Sequence, residues 1–171
     1  SRIGKSFLKT SVGFGGSCFQ KDILNLVYIA RSLGLEKVAD YWEQILIINN
    51  HQRERFSKKI TDCIKKNNLE PKVLMLGWSF KKDTNDTRES AAIYVTNNLI
   101  NNGVNVEIYD PKVKEEQINI ELININKNYD NSLIKIIGDS EIDYSKHNLI
   151  SILTEWDEFK NYNWNNIFKV I

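Results

Sequence analysis

The chain has 171 residues, 42% of them hydrophobic, and carries 23 basic and 22 acidic side chains for a formal net charge of +1. Charge so evenly mixed offers no polybasic face to nucleic acid or an anionic membrane. The longest aliphatic run, Ile45 to Ile48, is far short of the roughly 20 residues that a membrane span needs.

This composition suits one ordinary globular domain, or one domain with a helical extension. Without a signal-peptide hydrophobic region, the expected address is cytoplasmic. Cys18 and Cys63 cannot form a disulfide framework, and together with only His51 and His147 they give no clustered metal-ligand spacing, so no metal is expected. Ser1 to Thr10 has the texture of mid-protein sequence, and the chain is expected to be an excised portion of a longer protein.

In chain order, Ile23, Leu26, Val27 and Ala30 predict a helix from Asp22 closed by Gly34, with the glycine-rich segment Gly13 to Gly16 just before it. Cys18 then lies at or just before a helix start. Val38, Trp42, Ile45, Ile48, Phe56, Ile60 and Ile64 keep one apolar stripe from about Glu36 to Lys66. Such a helix is roughly 45 Å long at 1.5 Å per residue, the length of a connector or subunit interface rather than of a small-domain element.

After Pro71 the pattern turns α/β: a strand Val73 to Leu76, a polar loop, a helix from about Arg88 to Asn102 closed by Gly103, and a strand Val104 to Tyr109. Leu133 to Ile137 and Leu149 to Leu153 are further strand candidates, and the apolar Val170-Ile171 is where another would start. The expected fold is therefore α/β: a long connecting helix followed by a Rossmann-like parallel-sheet domain, truncated at its end. Gln117 to Asn131, rich in Asn and Ile, reads as a loose surface insertion.

The segment with chemistry is Gly13-Phe14-Gly15-Gly16-Ser17-Cys18-Phe19-Gln20-Lys21-Asp22. Glycines allow close backbone approach to a ligand. A helix N-terminus and the Lys21 ammonium both favour an ionised sulfur, which can bring a cysteine from about 8.5 toward neutrality. Asp22 can orient Lys21, hold a water or cap the helix; a solvated Lys21 and an N-capping Asp22 stay open on local pattern alone. Cys63, near the apolar stripe, reads as a small buried hydrophobe.

Two other motifs fail. Gly13-Phe14-Gly15 opens like a dinucleotide fingerprint, but the third glycine position is Cys18 and no strand precedes it. A papain-type site, with His147-Asn148 downstream, would want a cysteine where Gly15 stands. His147 is expected at the surface.

The ten-residue segment resembles the catalytic loop of the UDP-glucose and related nucleotide-sugar 6-dehydrogenases. The similarity extends in order and spacing through Arg2-Ile3-Gly4, Phe7-Leu8-Lys9, Gly77, Phe80-Lys81-Lys82-Asp83-Thr84, Asp86-Thr87-Arg88-Glu89-Ser90, Tyr109-Asp110-Pro111-Lys112 and Thr154-Glu155-Trp156-Asp157. Gln20 and Lys82-Asp83-Thr84 are closer to the UDP-glucose branch than to GDP-mannose relatives.

The resemblance implies two Rossmann-like domains joined by a long helix. Residues 1–70 would hold the cysteine loop and dimerisation helices, and 71–171 a UDP-binding domain. By matching position, Cys18 would be the nucleophile with Lys21 and Asp22 beside it. Phe7, Leu8, Lys9, Ser11, Phe14 and Gly15 would wrap the nucleotide sugar, and Phe80 and Lys81 would contact it. Arg88, with Cys18 and Lys21, would adjoin NAD, while Arg2 would reach a neighbouring subunit's substrate.

The implied reaction is the NAD-dependent four-electron oxidation of UDP-glucose to UDP-glucuronate through a cysteine thiohemiacetal and thioester. A homo-oligomer is implied, dimeric through the long helix, with a hexamer also open. Without an NAD fingerprint the chain is expected to be inactive alone. Two alternatives are a dehydrogenase for UDP-N-acetylmannosamine or GDP-mannose, and a non-catalytic UDP-sugar-binding and dimerisation module.

Overall fold

The computed structural model describes residue 4 and residues 9–171, so the expectations for Arg2, Phe7 and Leu8 lie outside the described residues. Helix α1 runs Ser17–Ser32 with Gly16 at its N-cap. It begins five residues earlier than the periodicity predicts, because its first turn and a half is largely solvent-facing and carries no apolar repeat. Asp22 is consequently not an N-cap; it lies in the second turn.

Helix α2 spans Glu36–Lys66, the range the stripe predicts. It packs against α1 through Ile23, Val27, Ala30 and Ala39, with Trp42, Ile45 and Leu46 at the edge. The stripe is buried fully only at Ile60 and Ile64, whereas Val38 and Ile48 face solvent. Cys63 is half-buried rather than buried, its sulfur accepting from Asn67 Nδ2 at 3.5 Å.

Four strands follow, β1 Lys72–Leu76, β2 Asn105–Tyr109, β3 Ile134–Ile136 and β4 Leu149–Ile152. All pair in parallel in the order β3-β2-β1-β4, with Val73 opposite both Val106 and Leu149. Alternation of side chains along β1 sends Val73 and Met75 to one core and Leu74 and Leu76 to another, and all four are wholly buried. The first core is covered by α2, by α3 (Ala91–Ile100) and by α4 (Glu115–Ile125). The second is covered by Trp156 and Phe159 around the short α5 (Asp157–Lys160), with Trp164 of α6 (Trp164–Ile167) at its edge.

Four further sequence expectations need correction. α3 starts at Ala91, where Ser90 caps it by accepting from Ala92 N, so Arg88 precedes the helix. The supposed insertion contains α4, whose Ile118 and Leu122 are wholly buried; two apolar residues in a run of Asn and Ile are enough to seat an 11-residue helix. No strand forms at Val170-Ile171, which follow α6 in a turn. His147 is 1% exposed rather than at the surface. Its Nε2 lies 3.1 Å from Glu107 Oε2 and its Nδ1 2.9 Å from Asp143 O, tying the segment before β4 to β2.

The strand order reverses between β1 and β4, so the loops after those strands flank a crevice of the kind where open α/β sheets bind ligands. Gly77 begins the first loop at φ +95°, and a Cβ there would lie 2.7 Å from Thr154 N. Gly77→Ala is expected to destabilise the fold by roughly 2–4 kcal/mol through left-handed strain plus a backbone clash. Urea denaturation checks this, and an unchanged midpoint would refute the close approach.

Candidate active site

The glycine-rich loop is seated by α2. Asn49, 5% exposed, uses both ends of its amide on one residue: Oδ1 accepts from Phe14 N at 2.9 Å and Nδ2 donates to Phe14 O at 3.1 Å. One turn on, Arg53 Nη2 also donates to Phe14 O, at 2.9 Å. The other wall is the loop after β1. Gly16 N donates to Arg88 O at 2.8 Å, and a Cβ on Gly15 would fall 2.7 Å from Glu89 O and 2.8 Å from Phe80 Cβ. Gly15 is therefore required by contact with the second loop.

This seating presents Cys18 at the second residue of α1, exposed, where free backbone N–H groups favour negative charge. Lys21 and Asp22 follow at i+3 and i+4, on the same helix face and also exposed. Arg88 approaches from the second loop. Its guanidinium is held by Asp86, Nε to Oδ1 at 2.9 Å and Nη2 to Oδ2 at 2.7 Å. The pair raises Arg88 above its ordinary range, with negative charge on Cys18 adding to the same effect, and holds the Asp86 carboxyl below its own.

The second loop owes its shape to two carboxylates, Asp110 buried and Glu121 half-buried. Asp110, at the end of β2, accepts from Trp78 N at 2.6 Å, Ser79 N at 3.0 Å and Trp156 Nε1 at 3.1 Å through one oxygen. Its other oxygen accepts from Lys112 N at 2.8 Å and Val113 N at 3.0 Å. Glu121 of α4 accepts from Trp78 Nε1 at 2.7 Å and from the Thr87 hydroxyl. Phe80 then packs on the cysteine loop while Lys81 extends outward, its Nζ 5.4 Å from the Phe80 ring centre. Across the crevice Lys82 Nζ meets Asp157 Oδ2 at 2.7 Å.

The structure thus brings together Cys18, Lys21 and Asp22 at the start of α1 with Phe14, Gly15, Phe80, Lys81 and Arg88 on two adjoining loops. Lys9 and Ser11 lie on the exposed run before them, with Ser11 O accepting from Gln52 Nε2 at 3.3 Å. Sequence reasoning missed Asn49 and Arg53. The trace in the sequence is faint, because Asn49 and Arg53 belong to a polar series with Ser57 and Thr61, recurring every four residues beside the apolar stripe, that looks like a solvated edge. Asp110 and Glu121 carried no such signal, since the donors that tie them to the second loop, Trp78, Ser79 and Thr87, are distant in sequence.

Tyr94 closes the site from behind. Its hydroxyl donates to Glu89 Oε2 at 2.5 Å, and burial first, then this bond, push its phenol up from 10 to about 12. A raised folded-state value means stability fully present below pH 10 and lost as pH rises toward about 12. Tyr94→Phe is expected to flatten that part of the alkaline limb in urea titrations; an identical limb would contradict the assignment.

Residues 74–171 match the UDP-binding domain of the UDP-glucose/GDP-mannose dehydrogenase family, and residues 1–51 match its central domain. A parallel sheet with a reversal of strand order beside an exposed cysteine at a helix start accompanies these matches, and the chain belongs to the UDP-glucose/GDP-mannose dehydrogenase family. It is 46% identical over 172 residues to the UDP-glucose 6-dehydrogenase of Gallus gallus and 45% identical to that of Mus musculus, in each case over 98% of this chain. The chain spans 35% of the length of these relatives.

Among solved structures, a UDP-glucose dehydrogenase from Pyrobaculum islandicum superposes with a TM-score of 0.74 at 25% identity, over 95% of this chain and 35% of that one. GDP-mannose dehydrogenase from Pseudomonas aeruginosa gives 0.69 at 26% identity, over 91% of this chain and 34% of that one. No helix of the described residues is long and apolar enough to cross a membrane.

Proposed function

We propose that the chain supplies the nucleophile and the UDP-binding domain of an enzyme that oxidises UDP-glucose to UDP-glucuronate with NAD. The observation that carries this reading is the placement of exposed Cys18 at the start of α1, between its own Lys21 and Asp22 and the Asp86-held Arg88. In this reading residues 1–70 form the cysteine and dimerisation unit and 71–171 the UDP-binding unit.

NAD fits the chain only at its edge. Arg88, already oriented and exposed, suits an anionic group of the dinucleotide, but Gly77-Trp78-Ser79 after β1 lacks the glycine fingerprint that cradles a pyrophosphate. NAD, when bound, supplies the hydride acceptor for each oxidation.

The chain's own residues do the rest. Phe14, Gly15, Phe80 and Lys81 hold the sugar nucleotide over Cys18, with Lys9 and Ser11 extending the contact. Cys18 Sγ forms a bond to the aldehyde carbon, and the carbonyl oxygen takes a proton, giving a thiohemiacetal that cannot diffuse away. After its oxidation to a thioester, water adds to the acyl carbon, Asp22 accepts the water proton, and the sulfur leaves as thiolate. Lys21 stabilises the oxyanion in both additions. The exposed Leu24, Tyr28, Tyr41 and Ile48 on the helices support a homodimer through this face.

The test is NADH formation by the full-length protein with UDP-glucose, counted per sugar consumed. Two NADH per sugar is the expected result. One NADH, or none with any nucleotide sugar, would defeat the four-electron reading. The 171-residue chain alone is expected to make none, and measurable NADH from it would contradict the need for a separate NAD domain.

A further inference from the structure

Arg53 is almost wholly buried, at 2% exposed, and among the described residues it faces no carboxylate within ion-pairing distance. Burial accordingly pushes its guanidinium below the ordinary arginine range. A long charged side chain in such a place needs a reason, because an apolar residue of similar volume avoids the desolvation penalty.

The hydrogen bonds give that reason. Arg53 Nη2 donates to Phe14 O and Glu89 O, each at 2.9 Å, and so touches the cysteine loop and the loop after β1 with one nitrogen. Nη1 donates to Asn50 Oδ1 at 3.2 Å, and the guanidinium carbon stacks 4.0 Å from the Tyr94 ring centre. Glu89 presents its carbonyl from a left-handed conformation, φ +56°, which is strained for a non-glycine residue and persists only when its surroundings hold it. Tyr94 supplies part of that hold by bonding the Glu89 carboxylate. Asn49, four residues earlier on α2, holds the same Phe14 peptide from the adjoining turn.

We propose that Arg53, assisted by Asn49, is a positioning residue: a buried strut that sets the cysteine loop against the Arg88-bearing loop. It touches neither substrate nor reacting atoms. A planar fork that bonds two carbonyls while stacking on an aromatic ring suits this task, and lysine offers only a point charge without the stacking plane. The proposal builds on the reading of Cys18 as nucleophile, but the strut is a claim about loop position and can be measured separately.

The experiment compares Arg53→Lys and Arg53→Met in the full-length protein. Phe159→Leu, on the opposite face of the sheet, serves as a control for general destabilisation. Amide hydrogen exchange and steady-state kinetics are read on each. Arg53→Met is expected to speed exchange at Phe14 and Gly16 by about tenfold or more with β1 and β2 unchanged. It should lower kcat by about 100-fold, the scale of a misplacement near 1 Å, with KM for UDP-glucose within about threefold. Arg53→Lys should recover part of both effects.

Unaltered exchange at Phe14 and Gly16 in folded Arg53→Met overturns the strut. So does an equal kcat loss in Phe159→Leu. Wild-type protein that yields no NADH defeats the dehydrogenase reading instead, and the exchange comparison then decides the strut alone.

Discussion

Cys18→Ser is expected to lower NADH formation in the full-length protein by about 10³-fold or more while UDP-glucose still binds within a few-fold of wild type. The reason is chemical. Sulfur at the second residue of α1 carries negative charge far more readily than a serine hydroxyl, and only the anion adds efficiently to an aldehyde. The substitution removes no buried contact, since Cys18 is exposed, so a fold change is not expected to confuse the result. A sugar-nucleotide-binding and dimerisation module would be indifferent to it. Retained turnover in Cys18→Ser would rule out covalent capture, and lost binding would place Cys18 in the substrate pocket rather than in the chemistry.

Asp110→Ala should cost roughly 3–5 kcal/mol in stability. Asp110 serves five donors from both sides of the sheet's C-terminal edge: the amides of Trp78, Ser79, Lys112 and Val113 and the Trp156 indole. It is itself 8% exposed, so alanine leaves several of these donors with neither protein nor water to bond. Loss should not stop at stability. Trp78 and Ser79 open the loop that carries Phe80, Lys81 and Arg88, so sugar-nucleotide affinity should fall even under conditions where the variant is folded. Asp110→Asn should recover less than half, because its NH2 group would face N–H donors. Denaturant titration and ligand calorimetry together check this; a loss below about 1 kcal/mol would mean the donors find water.

Helix α2 was legible to the residue because 31 positions of 3.6 periodicity leave little room for another reading. β1 was legible within a residue because a strand buried on both faces is a continuous apolar run, and β2 because Val104, Val106 and Ile108 alternate with Asn105 and Glu107. Cys18, Lys21 and Asp22 stood out because glycines, thiol, cation and acid are adjacent in the chain. The start of α1 and the whole of α4 were misread for one reason: helical turns that bury one side chain, or none, leave almost no periodic trace.

Composition and pattern therefore determined the α/β class, the long helix and the identity of the reactive segment, since each depends on residues near one another in sequence. Tertiary structure alone decided the surroundings of that segment. Arg53 reads as one more surface charge until α2 lies between the two loops, and His147 as an edge residue until β2 brings Glu107 beneath it. Buried polar groups take their meaning from partners, and those partners here stand 31 to 46 residues away in the chain.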